Sequence, residues 1–213
     1  MKLKELKSVL QQMETFHKSK YQLEQYTTPA DIAAKMLYMI HTASGLGNAV
    51  ADLGCGCGIL AIGASLLGAD ICIGVDVDDE ALSVCLANCE KLEVTNVDLI
   101  QMDVVHLADS RWSKVFDTVV MNPPFGTKKR KGIDMIFLKT ALGLAKTAVY
   151  SMHKTSTREH IKKKADDWGV NMEIIEEFKF GIPATYRFHK KAEVHIDVDL
   201  IKFTFKDKSR DRN

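Results

Sequence analysis

Apolar positions along this chain switch repeatedly between adjacent β-branched runs and the three-and-four spacing of a helix. Leu3, Leu6, Leu10 and Met13 share one helical face at the N-terminus. A second helix has a marked start, with Thr28 at the N-cap, Pro29 at the first helical position and Asp31 at the third. Short apolar runs at 50–53, 71–75, 97–101, 116–121 and 147–151 read as buried strands. Helical patterns at 59–67, 79–92, 133–145 and 156–168 separate or follow them, and Gly68 and Gly169 close two of these helices. Two alternating or β-branched runs, 172–180 and 193–205, end the pattern as an antiparallel pair. The expected fold is α/β: a mostly parallel seven-stranded sheet, antiparallel at its last strand, with helices on both faces.

Composition narrows the class without naming a partner. At 213 residues and 46% hydrophobic content, one domain over 1–205 is expected, followed by a charged, flexible tail at 206–213. No apolar stretch is long enough to span a bilayer and residues 1–5 carry no hydrophobic signal core, so a soluble intracellular protein is expected. A net charge of +1 leaves any nucleic-acid contact to local patches. Cys55 and Cys57 are one residue apart, and Cys85 and Cys89 form an i,i+4 pair. Neither spacing suits zinc, and reduced thiols are expected, with no metal site and no disulfide framework.

Two segments carry the chemistry. The strand Val50-Ala51-Asp52-Leu53 runs into Gly54-Cys55-Gly56-Cys57-Gly58 and then into a helix, an arrangement that lets backbone approach a ligand closely. The spacing Asp-x-Gly-x-Gly-x-Gly departs from the dinucleotide fingerprint, and no Lys or Arg stands in the loop to meet a pyrophosphate. Asp76 ends the next strand as a carboxylate suited to a ribose diol, and Asp103, after the third, suits an adenine amine. S-adenosylmethionine, an adenosine without phosphates, fits better than NAD. The second segment is Asn122-Pro123-Pro124-Phe125, behind the strand at 116–121. Two prolines fix a rigid turn. The turn holds the Asn122 amide and the Pro123 carbonyl as acceptors, with the Phe125 ring as a flat apolar face. Two aimed acceptors suit an exocyclic amine, whose ring-delocalised lone pair becomes reactive when both N–H groups are held and the nitrogen turns pyramidal. Gly54, Asp76, Asp103 and Asn122 all fall at carboxyl ends of central strands, where ligands bind in such sheets.

Asp52 to Gly58, Asp76 and Asn122 to Phe125 resemble motifs of the class I S-adenosylmethionine-dependent amino-methyltransferases, a Rossmann-like fold. The chain is similar above all to the methyltransferase-like protein 5 family of small-subunit rRNA adenine-N6 methyltransferases. That likeness extends through Leu23 to Thr28, Asn122 to Lys128, Tyr150 to His160 and Phe188 to Lys191, and covers roughly residues 1–205. It implies N6-methylation of an 18S rRNA adenosine, with Asn122, Pro123, Pro124 and Phe125 as the catalytic turn. It implies S-adenosylmethionine on Gln25, Thr28, Asp52, Gly54, Cys57, Ile59, Asp76, Asp103 and Val104, under an N-terminal helical cap formed by 1–45. It also implies a heterodimer with a small zinc-binding activator subunit, through an apolar edge strand near Val97–Val104, and work in nucleus, nucleolus and cytoplasm.

The run Lys128-Lys129-Arg130-Lys131 is more cationic than the family pattern and suits RNA phosphates, although a solvated loop reads equally well. Lys154, Arg158 and Lys162 to Lys164 could extend that patch, or simply face water. His153, His160 and His189 lack metal-ligand spacing and take no catalytic role. Tyr186 and Phe188 suit packing better than base support. Other readings are a protein-glutamine methyltransferase, which needs the same turn, a catalytically silent cofactor- or RNA-binding scaffold, and, disfavoured by the glycine spacing, an NAD oxidoreductase.

Overall fold

The computed structural model describes residues 1–16, 18–108, 111–126, 130–183 and 193–206. Lys128, Lys129, Tyr186, Phe188, His189 and the tail from 207 onward lie outside the described residues. Seven strands form one sheet: β1 (Ala49–Leu53), β2 (Ile71–Asp76), β3 (Val97–Gln101), β4 (Phe116–Met121), β5 (Ala145–Lys154), β6 (Val170–Pro183) and β7 (Glu193–Phe205). Their order is β3-β2-β1-β4-β5-β7-β6. The first five run parallel, and β7 is antiparallel to both β5 and β6. The expected α/β architecture with an antiparallel last strand is therefore the one observed.

The alternation of side chains along central strands explains two helical layers. Val50 and Val120 join one core with α1 (Leu3–Leu10), α2 (Ala30–Ala43) and α3 (Ile59–Leu66). Their neighbours Ala51, Val119 and Met121 join the opposite core with α5 (Ile133–Leu144) and α6 (Arg158–Asp167). The remaining helix, α4 (Asp79–Lys91), packs Cys85 and Cys89 against Ile62 of α3. A strand buried on both faces favours apolar side chains throughout, which is why β1 and β4 read as largely apolar runs, interrupted by Asp52 in β1 and by Asp117 and Thr118 in β4.

Several boundaries differ from the sequence pattern. Helix α1 ends at Leu10, so Met13 packs from beyond the helix. Helix α6 is shorter, because Thr155–Thr157 forms a 3-10 turn before it. The strands β5 and β6 extend past 147–151 and 172–180, since each gains a ladder partner in β7. Thr28 is not the N-cap of α2. The Pro29 carbonyl accepts the Ala33 N–H at 2.9 Å, so the cap is Pro29 and no side chain caps the helix. Thr28 stands one residue outside, which frees its hydroxyl for another partner.

Candidate active site

The glycine loop joins β1 to α3 and turns at three left-handed positions, Gly54, Gly56 and Gly58. At Gly58, φ is +89° and an added Cβ would sit 2.2 Å from the Cys85 sulfur, so helix α4 excludes any side chain there. At Gly56 an added Cβ would sit 3.0 Å from the Phe16 ring, which shows how closely the N-terminal segment overlies the loop. Both requirements come from protein packing rather than from a ligand.

Loop, N-terminal segment and strand ends enclose a cavity of about 390 Å³. Gln25, Thr28, Asp52, Gly54, Cys57, Ile59, Asp76, Asp103 and Val104 all line it, as do Asn122 and Pro124. Among the described residues its wall also carries Glu14, Glu24, Asp31 and one guanidinium, that of Arg130. Six carboxyl groups against one cation make a poor receptacle for a pyrophosphate and a good one for a cationic adenosine derivative.

The carboxylates differ in what holds them. Asp52 Oδ2 accepts the Ala61 N–H at 3.0 Å, tying α3 to β1. Asp52 Oδ1 is buried and accepts no hydrogen bond among the described residues. Burial pushes its carboxyl up to about 7 and neighbouring Asp76 adds to the effect. Asp76 accepts the Gly56 N–H at 2.8 Å and the Asp78 N–H at 2.9 Å. Burial raises its pKa too, against the lowering effect of those two bonds. Asp103 accepts the Val105 N–H at 3.1 Å as cap of the 3-10 turn Val104–Leu107.

Across the cavity, Asn122 Nδ2 donates to Thr28 Oγ1 at 3.0 Å. Asn122 Oδ1 is buried and accepts nothing among the described residues. Next in the turn, Pro123 is buried and does not line the cavity. Phe125 is 8% exposed, with Tyr26 nearly parallel at 6.4 Å between centroids and Phe180 edge-on at 6.2 Å. The open face expected of Phe125 is therefore covered, because the N-terminal segment and β6 close over it. Lys154 Nζ lies 5.7 Å from its centroid. Arg130 lines the cavity while Lys131 is exposed. Arg158, read as a candidate RNA contact, instead grips the fully buried Asp199 through Nε and Nη2 at 2.8 Å and also reaches Glu177. His153 is buried against Ser151 at 2.8 Å. All five cysteines are buried free thiols, and burial pushes Cys57 and Cys72 up to about 12.

Two residues escaped the reading of the sequence. Asp78 caps α4 and accepts from the Lys20 ammonium at 2.6 Å and from the Gln25 amide, so Gln25 serves as a latch for the N-terminal segment. Asn88, wholly buried on α4, accepts the Glu14 N–H at 2.8 Å and donates to the carbonyls of Glu14 and Cys57, each at 3.0 Å. The Cys57 carbonyl is thus engaged by protein. The one signal for Asn88 was a polar residue amid the cysteines of an apolar helix face. Asn88→Ala leaves those groups unpaired at about 1–3 kcal/mol. For a chain of this size the melting temperature should fall on the order of 5 °C, measurable by calorimetry.

Residues 31–123 match the family model of ribosomal protein L11 methyltransferase (PrmA), a match that ends inside the Asn122 turn. Over 96% of its length the chain is 55% identical to a Danio rerio protein, rRNA N(6)-adenosine-methyltransferase METTL5, and spans 99% of it. The Drosophila melanogaster protein of that name is 46% identical, with 95% of this chain and 96% of that one covered. A Pyrococcus horikoshii crystal structure, provisionally named an RNA methyltransferase, superposes with a TM-score of 0.84 at 35% identity. That superposition covers 96% of this chain and 98% of the archaeal one.

Proposed function

The chain belongs to the family of rRNA N(6)-adenosine methyltransferases, and on that premise we propose that it methylates N6 of an 18S rRNA adenosine held at the Asn122-Pro123-Pro124-Phe125 turn, using S-adenosylmethionine. The observation that carries this reading is the buried Asn122 Oδ1, without a partner among the described residues, on a residue that lines an acidic cavity. The cavity also fits the cofactor, since its orphaned Asp52 Oδ1 and surplus of carboxylates suit an ammonium and a sulfonium. When bound, S-adenosylmethionine supplies an electrophilic methyl group. Asp76 would hold the ribose diol, Asp103 the adenine amine, and Asp52 the ammonium.

The protein's contribution to transfer is orientation. Asn122 Oδ1 accepts one N–H of the target amine and a backbone carbonyl of the turn the other, which localises the nitrogen lone pair. The prolines keep both acceptors in place, and the Tyr26 and Phe180 rings hold the turn through Phe125. An adenosine in a duplex must be extruded to reach them. Arg130 and Lys131, with Lys128 and Lys129, are assigned to the RNA backbone.

The test is label transfer from tritiated S-adenosylmethionine to total RNA from cells lacking this protein. Label in small-subunit rRNA recovered as N6-methyladenosine supports the reading. Label in protein instead of RNA would move the assignment to a side-chain amide acceptor.

The proposed activator subunit would sit on β3, the terminal strand of the sheet. Beyond that strand Met102 and Val105 are exposed apolar residues, as is Leu86 on α4. An unpaired edge flanked by apolar surface favours strand addition. Saturating the chain with the partner at about 100 Kd should stabilise it by about 2.7 kcal/mol. A melting temperature unchanged by the co-expressed partner would refute the heterodimer. Nucleus, nucleolus and cytoplasm are the compartments this reading expects, and cell fractionation tests it.

A further inference from the structure

We propose that Thr28 is a positioning residue for the transfer step: its hydroxyl is the acceptor that completes the Asn122 amide with Oδ1 turned toward the substrate amine. The inference deepens the reading of the Asn122 turn and rests on it. Thr28 is 4% exposed and its Oγ1 receives Asn122 Nδ2 at 3.0 Å, across 94 residues of sequence. The other end of the same amide, Oδ1, is buried without a partner among the described residues.

A primary amide has one acceptor end and one donor end, nearly equal in shape. A substrate amine brings N–H donors, so only the orientation with Oδ1 toward it is productive. The Nδ2 end then needs an acceptor at the back, and a buried N–H without one is costly. Thr28 Oγ1 occupies that place. An aliphatic side chain of the same shape would leave Nδ2 unpaired and remove the preference for the productive orientation.

The position of Thr28 adds a consequence. Thr28 belongs to the N-terminal segment that Asp78 latches through Lys20 and Gln25 and that Asn88 pins at Glu14. Closing this segment over the cavity and completing the Asn122 amide are therefore one structural event. Catalytic competence is coupled to cover of the cofactor site, although Thr28 itself acts on Asn122.

Thr28→Val keeps the shape and removes the hydroxyl, and Thr28→Ser keeps the hydroxyl. In the ligand-free protein, 15N spectra should show the Asn122 side-chain NH2 protected from solvent exchange in the wild type and in Thr28→Ser, and unprotected in Thr28→Val. At saturating cofactor, Thr28→Val should lower kcat roughly tenfold, the value of one such bond. Because Thr28 also lines the cofactor cavity, the loss in Thr28→Val is read at saturating cofactor, and Thr28→Ser should recover most of kcat. Weaker cofactor binding with unchanged kcat would overturn the proposal and make Thr28 a cofactor contact. Equal loss in Thr28→Ser and Thr28→Val would overturn it in favour of packing by the β-methyl. A wild-type protein that labels no RNA would instead refute the function proposed above, while the exchange measurement would still decide whether Thr28 holds the amide.

Discussion

Asn122→Ala should lower kcat for RNA methylation by about 100- to 1000-fold, the range typical for removing one preorganised polar group at a reacting centre. The alanine variant removes a buried acceptor that has no partner among the described residues, on a residue that lines the cavity. It also strands the Thr28 hydroxyl, but among the described residues no bond to the glycine loop or to Asp52, Asp76 or Asp103 passes through Asn122. Cofactor affinity should therefore change little. Single-turnover kinetics at saturating cofactor, beside a direct binding measurement, separates the two quantities. A variant that binds cofactor poorly and turns over normally would remove Asn122 from the chemical step.

The second large effect concerns Asp52 and pH. Burial raises its carboxyl to about 7, and its Oδ1 has no partner among the described residues. A cationic ligand binds the ionised form, so affinity for S-adenosylmethionine should fall as pH drops below about 7. The slope should approach tenfold per unit while Asp52 alone controls it. Asp76, also raised by burial, contributes any slope that remains when Asp52 is replaced. Asp52→Asn should weaken binding by about 1.5–3 kcal/mol, roughly 10- to 100-fold, and flatten the profile. Stability of the ligand-free chain should run the opposite way. The folded pKa lies above the unfolded one, so the stability Asp52 contributes is fully present below the ordinary carboxylate range and is lost as pH rises through about 7. Titration calorimetry at pH 5.5, 6.5 and 7.5 and thermal melts of the ligand-free chain check both directions; a pH-independent dissociation constant would refute the role of Asp52.

Much of the site was legible because its signals are local. The glycine loop and the double proline declare themselves over a few residues, and the ends of apolar runs placed Asp76, Asp103 and Asn122 at one edge of the sheet. The Thr28 signal misled for the same reason. Thr28-Pro29 followed by Asp31 is good capping chemistry, yet the cap fell on Pro29 and the hydroxyl went to Asn122. Arg158 likewise looked like surface charge from its sequence neighbours, and its partner Asp199 lies 41 residues away on β7.

The sequence by itself determined the fold class, the loop, the turn and the strand ends that carry acidic residues, because hydrophobic period and turn stereochemistry act within a few residues. Only the tertiary structure decided which polar atoms are already satisfied. It turned Thr28 onto Asn122, set Asn88 between Glu14 and Cys57, latched Gln25 onto Asp78, covered Phe125, and left the buried Asp52 Oδ1 and Asn122 Oδ1, on two residues lining one cavity, without partners among the described residues. Those outcomes depend on strand order and on which helix covers which face of the sheet. A hydrogen bond forms between groups that packing brings together, however far apart they stand along the chain.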